Sequence, residues 1–485
     1  MKIMSVATIR TNDSDSIDDI VEMEQLFATQ KEAYLTQPEW DMAERKKRLT
    51  LFKAAFLANK EALVTAVSED YGHRSRYDTL IADILPTTAQ FNYTLARLAK
   101  WMKPTRRNPG LLLAPASVTI HYQPVGVVGI VVPWNFPINL AIVPLITSIA
   151  AGNRAMLKMS EFTPKTNQVL KQIITSVFDS KDVCIVEGEM ALSAAFTKLP
   201  FDHLLFTGST VVGKHVMRAA ADNLTPVTLE LGGKSPVVVA PDIDIKVAVN
   251  RIMLGKSLNA GQICVAPDYI LCPRAKVAEF VKEYRNEFNR RYPAAMQNDD
   301  YTNIVDDRQY TRLKSWLEDA KQKGVQVETM QDGSSLDDQR HRMLPHLLLN
   351  VTDDMQLMQD EIFGPLLPIL PYDTIDDAIS YIKKRPHPLA LYIMSFDNKA
   401  QKKIQRETIS GGVAINDTIM HVAAEDAPFG GVGSAGMGHY HGIEGFRTFS
   451  KSKTILKQGK FHSTRFVHAP YGSLIQKIIL KFFLR

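Results

Sequence analysis

One cysteine and one distant glutamate are the residues of this chain whose types suggest covalent catalysis. Cys264 follows Gly261 within the run 258–269, and Glu230 lies 34 positions before the cysteine in the glycine-rich run 229–234. A thiolate is a strong nucleophile, and a carboxylate can serve as a general base. The pair predicts an enzyme that forms a covalent bond to its own cysteine.

The other cysteines and the histidines indicate neither a disulfide framework nor a metal site. Cys184, Cys264 and Cys272 are an odd number of cysteines without the Cys-x-x-Cys spacing of metal sites. His439 and His441 have no third or fourth ligand nearby in sequence, so we interpret them as loop-packing residues. Cys264 is therefore either a reactive thiol or an inert core residue.

Polar residues also follow two predicted strands, at the ends where parallel sheets bind ligands. Asn135 lies between Pro133 and Pro137, and its amide could donate to a developing oxyanion, although an asparagine there also suits an ordinary turn. Lys158 and Glu161 could contact ribose hydroxyls, with the acid disfavouring a 2′-phosphate. Each signal is weak when taken alone.

A glycine-rich segment at 206–215 nearly matches a phosphate-binding P-loop. Gly208, Gly213 and Lys214 fit the pattern, but His215 stands where a hydroxyl would bind magnesium. Nucleotide hydrolysis is thereby disfavoured, whereas the backbone N–H groups that follow Ser209 could still hold a pyrophosphate. The alternative is that these glycines only permit close packing.

The surrounding elements predict an α/β fold with two lobes. Strands are predicted at 125–132, 155–159, 183–186 and 203–206, with helices after Pro137, Pro164 and Gly208. This alternation indicates a parallel sheet. A second α/β stretch at 236–421 contains predicted strands at 237–240 and 269–272 and predicted helices at 279–290 and 311–321. Two lobes would leave a cleft for Cys264.

Composition and charge are those of a soluble globular protein. The 485 residues are 45% hydrophobic with a formal net charge of +5, and the lysines form no basic stripe interleaved with aromatic residues, which argues against nucleic-acid binding. The uncharged stretch 123–153 has the length of a membrane span, but Pro133, Pro137 and Pro144 interrupt it, so we predict a buried strand, loop and helix. Residues 1–20 carry acids and no long apolar run, which predicts no secretion signal and a cytoplasmic location.

The last twelve residues form an amphipathic pattern. Leu474, Ile478 and Phe482 share an apolar helical face, while Lys477 and Lys481 lie on another. Such a helix could lie on a membrane surface. Packing against the parent fold is the interpretation we favour.

Taken together, the motifs resemble those of the aldehyde dehydrogenase superfamily from about residue 26 to 470. They are Pro133-Trp134-Asn135-Phe136-Pro137, Phe206-Thr207-Gly208-Ser209-Thr210, Leu229-Glu230-Leu231-Gly232-Gly233-Lys234-Ser235-Pro236, Gly261-Gln262-Ile263-Cys264 and Glu361-Ile362-Phe363-Gly364-Pro365. The runs 264–269 and 436–442 look like the class 3 branch. The motif at 133–137 and the ending at 465–472 look most like its bacterial coniferyl aldehyde dehydrogenase group.

The resemblance implies a role for each motif. Cys264 would be the nucleophile, Glu230 the base that activates the hydrolytic water, and Asn135, together with the Cys264 N–H, the oxyanion donor. The cofactor would be NAD, with NADP as an alternative. The residues implied to hold it are Trp134, Lys158, Glu161, Gly208, Ser209, Gly213, Glu361 and Phe363.

The resemblance also implies an aldehyde dehydrogenase fold, with a Rossmann-like cofactor domain at 20–106 and 123–229 and a catalytic domain at 230–422. A small β oligomerisation element would comprise 107–122 and 445–470, followed by the amphipathic tail 471–485, and the chain would form a homodimer. The implied substrate is an aromatic, coniferaldehyde-like aldehyde, oxidised to its acid through a thiohemiacetal and a thioester. Alternatives are a medium- or long-chain aliphatic aldehyde, acyl transfer to coenzyme A, or a catalytically silent structural relative.

Overall fold

Seventeen α-helices and eighteen strands build residues 17–484, the part of the chain described in the computed structural model. The helices α1 to α17 are Ile17–Thr36, Met42–Ala58, Lys60–Asp70, Arg76–Thr79, Leu85–Trp101, Asn139–Ala151, Pro164–Thr175, Met190–Thr197, Thr210–Ala221, Ile245–Ser257, Val277–Arg291, Asp307–Gln322, Gln356–Gln359, Ile375–Lys383, Asn398–Glu407, Gly442–Thr448 and Leu474–Phe483. The strands β1 to β18 are Thr105–Arg107, Ser117–Pro124, Val127–Val131, Arg154–Lys158, Val183–Val186, His203–Gly208, Val227–Leu231, Pro236–Val239, Tyr269–Pro273, Gln326–Thr329, Leu336–Asp337, Arg342–Met343, His346–Leu349, Leu366–Tyr372, Ala390–Met394, Gly412–Ile415, Gly436–Met437 and Ser450–Lys457.

The first sheet has six strands in the order β17-β7-β6-β3-β4-β5. All of its pairings are parallel except the short one between β17 and β7. β3 and β4 are buried nearly throughout, as expected for strands covered by helices on both faces. The predicted parallel sheet is confirmed, and no end of its four predicted strands differs from prediction by more than two residues.

The second sheet has seven strands in the order β10-β13-β14-β9-β8-β15-β16. It is parallel except for the antiparallel pairing of β10 with β13. The chain leaves the first sheet at Leu231 and enters the second at Pro236. The short segment 232–235 therefore lies where the two lobes meet.

A separate three-stranded sheet pairs β1, β2 and β18 in antiparallel register. It joins two distant parts of the sequence, 105–124 and 450–457. The strands overlap the predicted oligomerisation element, but β1 begins two residues before that range and β2 extends two residues beyond it.

The uncharged stretch 123–153 folds as the end of β2, then β3, a loop and α6. Nearly every residue of α6 is buried, including Pro144 inside the helix. Among residues 17–484, no helix is long and apolar enough to cross a membrane. The prediction about a secretion signal concerns residues 1–20, of which the first sixteen lie outside the described residues.

The C-terminal helix α17 does not pack in the way we favoured from the sequence. Only Gln476 of this helix is buried, and its apolar residues remain mostly exposed. The helix contacts the preceding turn, residues 463–467. The apolar face is therefore left uncovered in the described chain.

Candidate active site

Cys264 lies just beyond a strained turn at the start of the second lobe. The 3-10 turn Leu258–Gly261 contains Asn259 and Ala260, both with φ near 51°, followed by Gly261 with φ 73°. Three successive left-handed residues are costly and persist only when their surroundings hold them. A side chain at Gly261 would also meet the Gly364 carbonyl oxygen at 2.7 Å. The turn thus requires glycine next to the segment that contains Glu361.

Gln262 holds this turn from inside. Its side-chain amide donates to the carbonyls of Asn259 (2.9 Å) and Asn303 (3.0 Å), and its Oε1 accepts from the Val305 N–H at 3.0 Å. Asn259 donates its Nδ2 to the Gln262 carbonyl at 3.1 Å. With these partners satisfied, the backbone that leads to Cys264 has one well-defined conformation.

Asn135 lies against the same turn, after β3. Its Nδ2 donates to the Gln262 carbonyl at 3.3 Å, a long bond that occupies one of two amide hydrogens. Its backbone carbonyl accepts from Tyr71 Oη (3.2 Å), Arg74 Nη1 (2.8 Å) and Asn259 Nδ2 (3.2 Å). The predicted oxyanion donor is therefore fixed beside the predicted nucleophile.

The Cys264 thiol is half-buried and faces two carboxylates. Burial raises its pKa to about 12, and the charges of Glu361 and Glu230 contribute further. The backbone N–H groups of Cys264 and Val265 act in the opposite direction. A thiol in this environment is protonated at neutral pH, so a positive charge must enter the site to ionise it.

Glu230 lies on β7, opposite Gly436 of β17 and beside Thr207 of β6. Its side chain is 3% exposed, and neither carboxylate oxygen has a hydrogen-bond partner in the described chain. Burial raises its pKa well above the ordinary value. A buried carboxyl with no partner is costly and is typical of a functional site.

Glu361, Phe363 and Trp134 form a second group beside the thiol. The Phe363 ring packs edge-to-face on Trp134 with centroids 5.1 Å apart, and Phe363 has a left-handed φ of 48°. Burial, followed by the charge of Asp268, raises the pKa of Glu361 to about 8. A Cβ at Gly232 would lie 1.8 Å from Glu361 Oε2, so only glycine fits there.

The remaining predicted cofactor residues lie further along the first sheet, at the ends of β4 and β6. Lys158 is buried and donates its Nζ to the carbonyls of Gly188 (2.6 Å) and Met159 (2.8 Å), whereas Glu161 is exposed. Strands β7, β6, β3 and β4 are neighbours in the sheet, so their carboxyl ends lie along one edge. Asn135, which follows β3, and Glu230, which lies on β7, belong to this edge too.

Helix α9 begins at this edge and has the features of a phosphate site. Ser209 caps it by accepting from the Val212 N–H at 3.3 Å. A Cβ at Gly213 would meet Leu231 at 2.6 Å, and one at Gly208 would meet the Phe206 ring at 2.6 Å. The glycines therefore permit close packing and also leave the helix start open to an anion. The packing role and a pyrophosphate-binding role are thus compatible.

Several residues of the site were not identified from the sequence. Tyr440 is fully buried; burial raises its pKa, and the charges of Glu230 and Cys264 raise it further. Lys234, which is partly buried, forms an ion pair with the buried Asp268. Tyr440 and Lys234 belong to motifs that the sequence singled out, but their contacts with the site are seen only in the folded chain.

Comparison with known proteins identifies the family. The model of the aldehyde dehydrogenase family matches residues 6–455. A "Probable coniferyl aldehyde dehydrogenase" of Pseudomonas aeruginosa is 50% identical over 97% of this chain and 98% of its own length. "Aldehyde dehydrogenase family 3 member A2" of Pongo abelii is 36% identical over 94% of this chain and 92% of its own.

Solved structures agree with the sequence matches. Staphylococcus aureus AldH in a substrate-bound state has a TM-score of 0.91 and 38% identity, covering 96% of this chain and 99% of that one. Mycobacterium tuberculosis aldehyde dehydrogenase complexed with NAD+ has a TM-score of 0.82 and 27% identity, with 91% of both chains covered. The fold is thus the aldehyde dehydrogenase fold expected from the motifs. This chain belongs to the aldehyde dehydrogenase family, in its class 3-like branch, and is an NAD(P)-dependent enzyme that oxidises aldehydes.

Proposed function

We propose that the enzyme oxidises aromatic, coniferaldehyde-like aldehydes to carboxylic acids with NAD, through covalent intermediates on Cys264. The observation that carries the mechanism is the buried Glu230, which has no hydrogen-bond partner among residues 17–484 and lies near a thiol held beside the Asn135 amide. Support for the substrate class comes from relatives named for coniferyl aldehyde, which are 44–50% identical over almost the whole chain.

In the first step the Cys264 thiolate attacks the aldehyde carbon. A carbon–sulfur bond forms, and the carbonyl electron pair moves to oxygen, which becomes the oxyanion of a thiohemiacetal. The free Asn135 amide hydrogen and the Cys264 N–H stabilise this charge. Loss of one such donor typically lowers turnover by about 10²–10³-fold.

NAD(P), when bound, would supply the hydride acceptor: the former aldehyde carbon loses its hydride, the carbon–oxygen double bond re-forms, and the group on Cys264 becomes a thioester. The positively charged ring of the cofactor would also favour the thiolate that the protein alone disfavours. Three features of the structure suit the binding of NAD(P). Gly232 lies directly against Glu361, the start of α9 is lined by glycines, and Lys158 is buried. Lys158 and Glu161 would hold the adenosine ribose, Gly208 to Gly213 with Ser209 the pyrophosphate, and Trp134, Glu361 and Phe363 the nicotinamide end.

In the last step Glu230 takes a proton from water as the water oxygen attacks the thioester carbon. The carbon–sulfur bond breaks, the thiolate of Cys264 leaves, and the carboxylic acid is released. A carboxylate with a raised pKa is a more effective base than an ordinary one. This role separates the proposal from acyl transfer to coenzyme A, in which the acceptor is a thiol.

The preference for NAD rests on Glu161, whose charge would repel a 2′-phosphate. The same proposal places the cofactor domain at 20–106 and 123–229, the catalytic domain at 230–422 and an oligomerisation element at 107–122 and 445–470. We expect a homodimer acting in the cytoplasm. The three-stranded sheet, separate from both large sheets, supports an interface role for that element.

The substrate proposal is tested by measuring kcat/KM for a panel of aldehydes with NAD and with NADP. We expect coniferaldehyde and related phenylpropenals to exceed medium- and long-chain aliphatic aldehydes, and NAD to exceed NADP. A higher kcat/KM for aliphatic aldehydes would instead identify medium- or long-chain aliphatic aldehydes as the substrate class.

A further inference from the structure

A buried ion pair between Arg74 and Asp83 lies behind the loop that contains Asn135. Arg74 Nη2 and Asp83 Oδ2 are 2.9 Å apart, and both side chains are fully shielded from solvent. Arg74 Nε has no hydrogen-bond partner among residues 17–484. Burying two charges costs so much solvation that apolar residues of similar size often stabilise a core equally well. Stability alone therefore does not explain this pair.

The ion pair holds both ends of the segment 135–139. At its start, Arg74 Nη1 donates to the Asn135 carbonyl at 2.8 Å. At its end, Asp83 Oδ1 accepts from the Asn139 N–H at 2.8 Å. Because a guanidinium presents its donors in a fixed plane, its bonds to the carboxylate and to the carbonyl determine direction as well as distance. The peptide plane that follows Asn135 is thereby held in one orientation.

The backbone around Asp83 is itself unusual. Asp83 lies in a single π-helical turn, Leu80–Ile84, between α4 and α5. Such turns are rare and are frequent at functional sites. Within this turn Asp83 is 0% exposed, whereas the apolar Ile81 is 54% exposed, the reverse of the usual arrangement in a surface helix. The turn thus directs a carboxylate inward, toward Arg74 and the start of α6.

The same stretch of chain also contacts the turn that precedes Cys264. Asp78 Oδ2 accepts from the Asn259 N–H at 2.9 Å and from the Thr302 hydroxyl at 2.6 Å. Residues 74–83 therefore contact both the loop of Asn135 and the turn that leads to the Cys264 N–H. These are the two segments that contribute the proposed oxyanion donors.

We propose that Arg74 and Asp83 are positioning residues for the oxyanion hole, which hold the Asn135 loop so that its side-chain amide faces the oxygen of the thiohemiacetal. This inference rests on the proposed roles of Asn135 and Cys264. Donors that are held in place stabilise a developing charge well because they need not reorient during the reaction. Arg74 and Asp83 act only through Asn135 and do not touch the substrate.

The test is a mutant cycle on the single-turnover rate of NADH formation with coniferaldehyde, measured by stopped flow. Asn135→Ala should lower this rate about 10²–10³-fold. Arg74→Met/Asp83→Asn, which removes both charges together, should lower it about 10²-fold, the effect expected of a displacement of ~1 Å at a reaction centre. The same two substitutions should add little to the loss in Asn135→Ala, because their effect passes through the missing amide. The affinity for NADH should stay unchanged throughout.

The matched control is Arg154→Met/Asp182→Asn. Arg154 and Asp182 form another buried ion pair, but at the start of β4, on the edge of the first sheet opposite to the site. This control should lower the melting temperature and leave the single-turnover rate unchanged. It therefore separates loss of stability from loss of positioning.

A second variant, Arg74→Lys, keeps the buried charges balanced and is used if the double replacement does not fold. A compact ammonium lacks the planar donors of the guanidinium, so the rate should again fall, and only when Asn135 is present. Equal losses with and without Asn135, or a wild-type rate in the folded Arg74 variants, overturn the proposal and leave the proposed function intact. A wild-type rate in Asn135→Ala contradicts the oxyanion role of Asn135 itself, and the positioning proposal falls with it.

Discussion

Lys234 and the buried Asp268 form an ion pair that connects the segments containing Glu230, Cys264 and Glu361. Lys234 also donates to the carbonyls of Leu357 (2.7 Å) and Asp360 (3.0 Å). Asp268 Oδ2 accepts from the Ile362 N–H at 2.8 Å. One charge pair thus positions both the base and the cofactor-side glutamate relative to the thiol.

Asp268→Asn should destabilise the enzyme and raise the KM for NAD more than it lowers kcat. The amide keeps an acceptor for one partner but removes the charge opposite the partly buried Lys234, a loss of about 1.5–3 kcal/mol. Denaturant unfolding and steady-state kinetics measure the two effects. Asp373→Asn, which removes an exposed partner of Arg274, is the control and should change neither. Wild-type stability in Asp268→Asn would contradict the positioning role.

Cys264→Ala should abolish aldehyde oxidation and leave NAD binding nearly intact. The variant removes the proposed nucleophilic sulfur, whereas the residues proposed to contact the cofactor are unchanged. Fluorescence titration with NADH and an activity assay separate the two. Cys184→Ala removes a buried thiol beside Gln30, far along the first sheet, and should stay active. Oxidation by Cys264→Ala would exclude covalent catalysis at this residue.

Glu230→Gln should give a pre-steady-state burst of NADH followed by slow turnover. The thioester forms without a base, but its hydrolysis then lacks a proton acceptor and slows by about 10²–10⁴-fold. Stopped-flow absorbance measures the burst. Its absence would place Glu230 earlier in the reaction, for instance in activating the thiol.

Glu230→Gln should also change how stability depends on pH. Below the unfolded pKa of about 4.3, the carboxyl is neutral in both states and burial costs little. As pH rises, the unfolded carboxyl ionises while burial keeps the folded one protonated, so wild-type stability falls until the folded pKa is passed. A glutamine does not ionise, so the variant does not lose stability in this way. The melting temperature of the variant relative to wild type should therefore increase from acid to alkaline pH, and a constant difference would contradict the raised pKa.

Gly232→Ala should impair cofactor binding by displacing Glu361. Its Cβ would lie 1.8 Å from the Glu361 carboxylate, and overpacking of this kind costs about 1–3 kcal/mol, or roughly 5- to 150-fold in KM for NAD. Gly459→Ala is the control, since its Cβ would approach no atom closer than 3.8 Å. If the KM for NAD is unchanged in both variants, Glu361 does not contribute to cofactor binding.

The strands of the first sheet were predictable because they are local and strongly patterned. β5 was predicted at its observed ends, and β3, β4 and β6 within one or two residues, since buried parallel strands are continuous apolar runs. The second sheet was predicted less completely. β14 pairs with β9 and β15 pairs with β8, which come from much earlier in the chain, and no local pattern specifies such pairings.

The motifs of the candidate site were predicted from the sequence, but the residues that hold those motifs in place were not. Cys264, Asn135, Glu230 and Glu361 lie close together, with Asn135 and Glu230 contributed by the first sheet and Cys264 and Glu361 by loops of the second lobe. The roles of Gln262 and of the Lys234–Asp268 pair depend on contacts between residues up to 126 positions apart. The exposed face of α17 was also unforeseen, since periodicity shows that a helix is amphipathic but not what covers it.

The left-handed turn ahead of Cys264 limits how this enzyme can be redesigned. Asn259, Ala260 and Gly261 occupy backbone conformations that branched side chains resist, and Gly261 has no room for a side chain. Directed evolution toward new aldehydes will find few tolerated replacements at these positions. Changes in selectivity must instead come from side chains that other segments place around Cys264, while the turn itself stays unchanged.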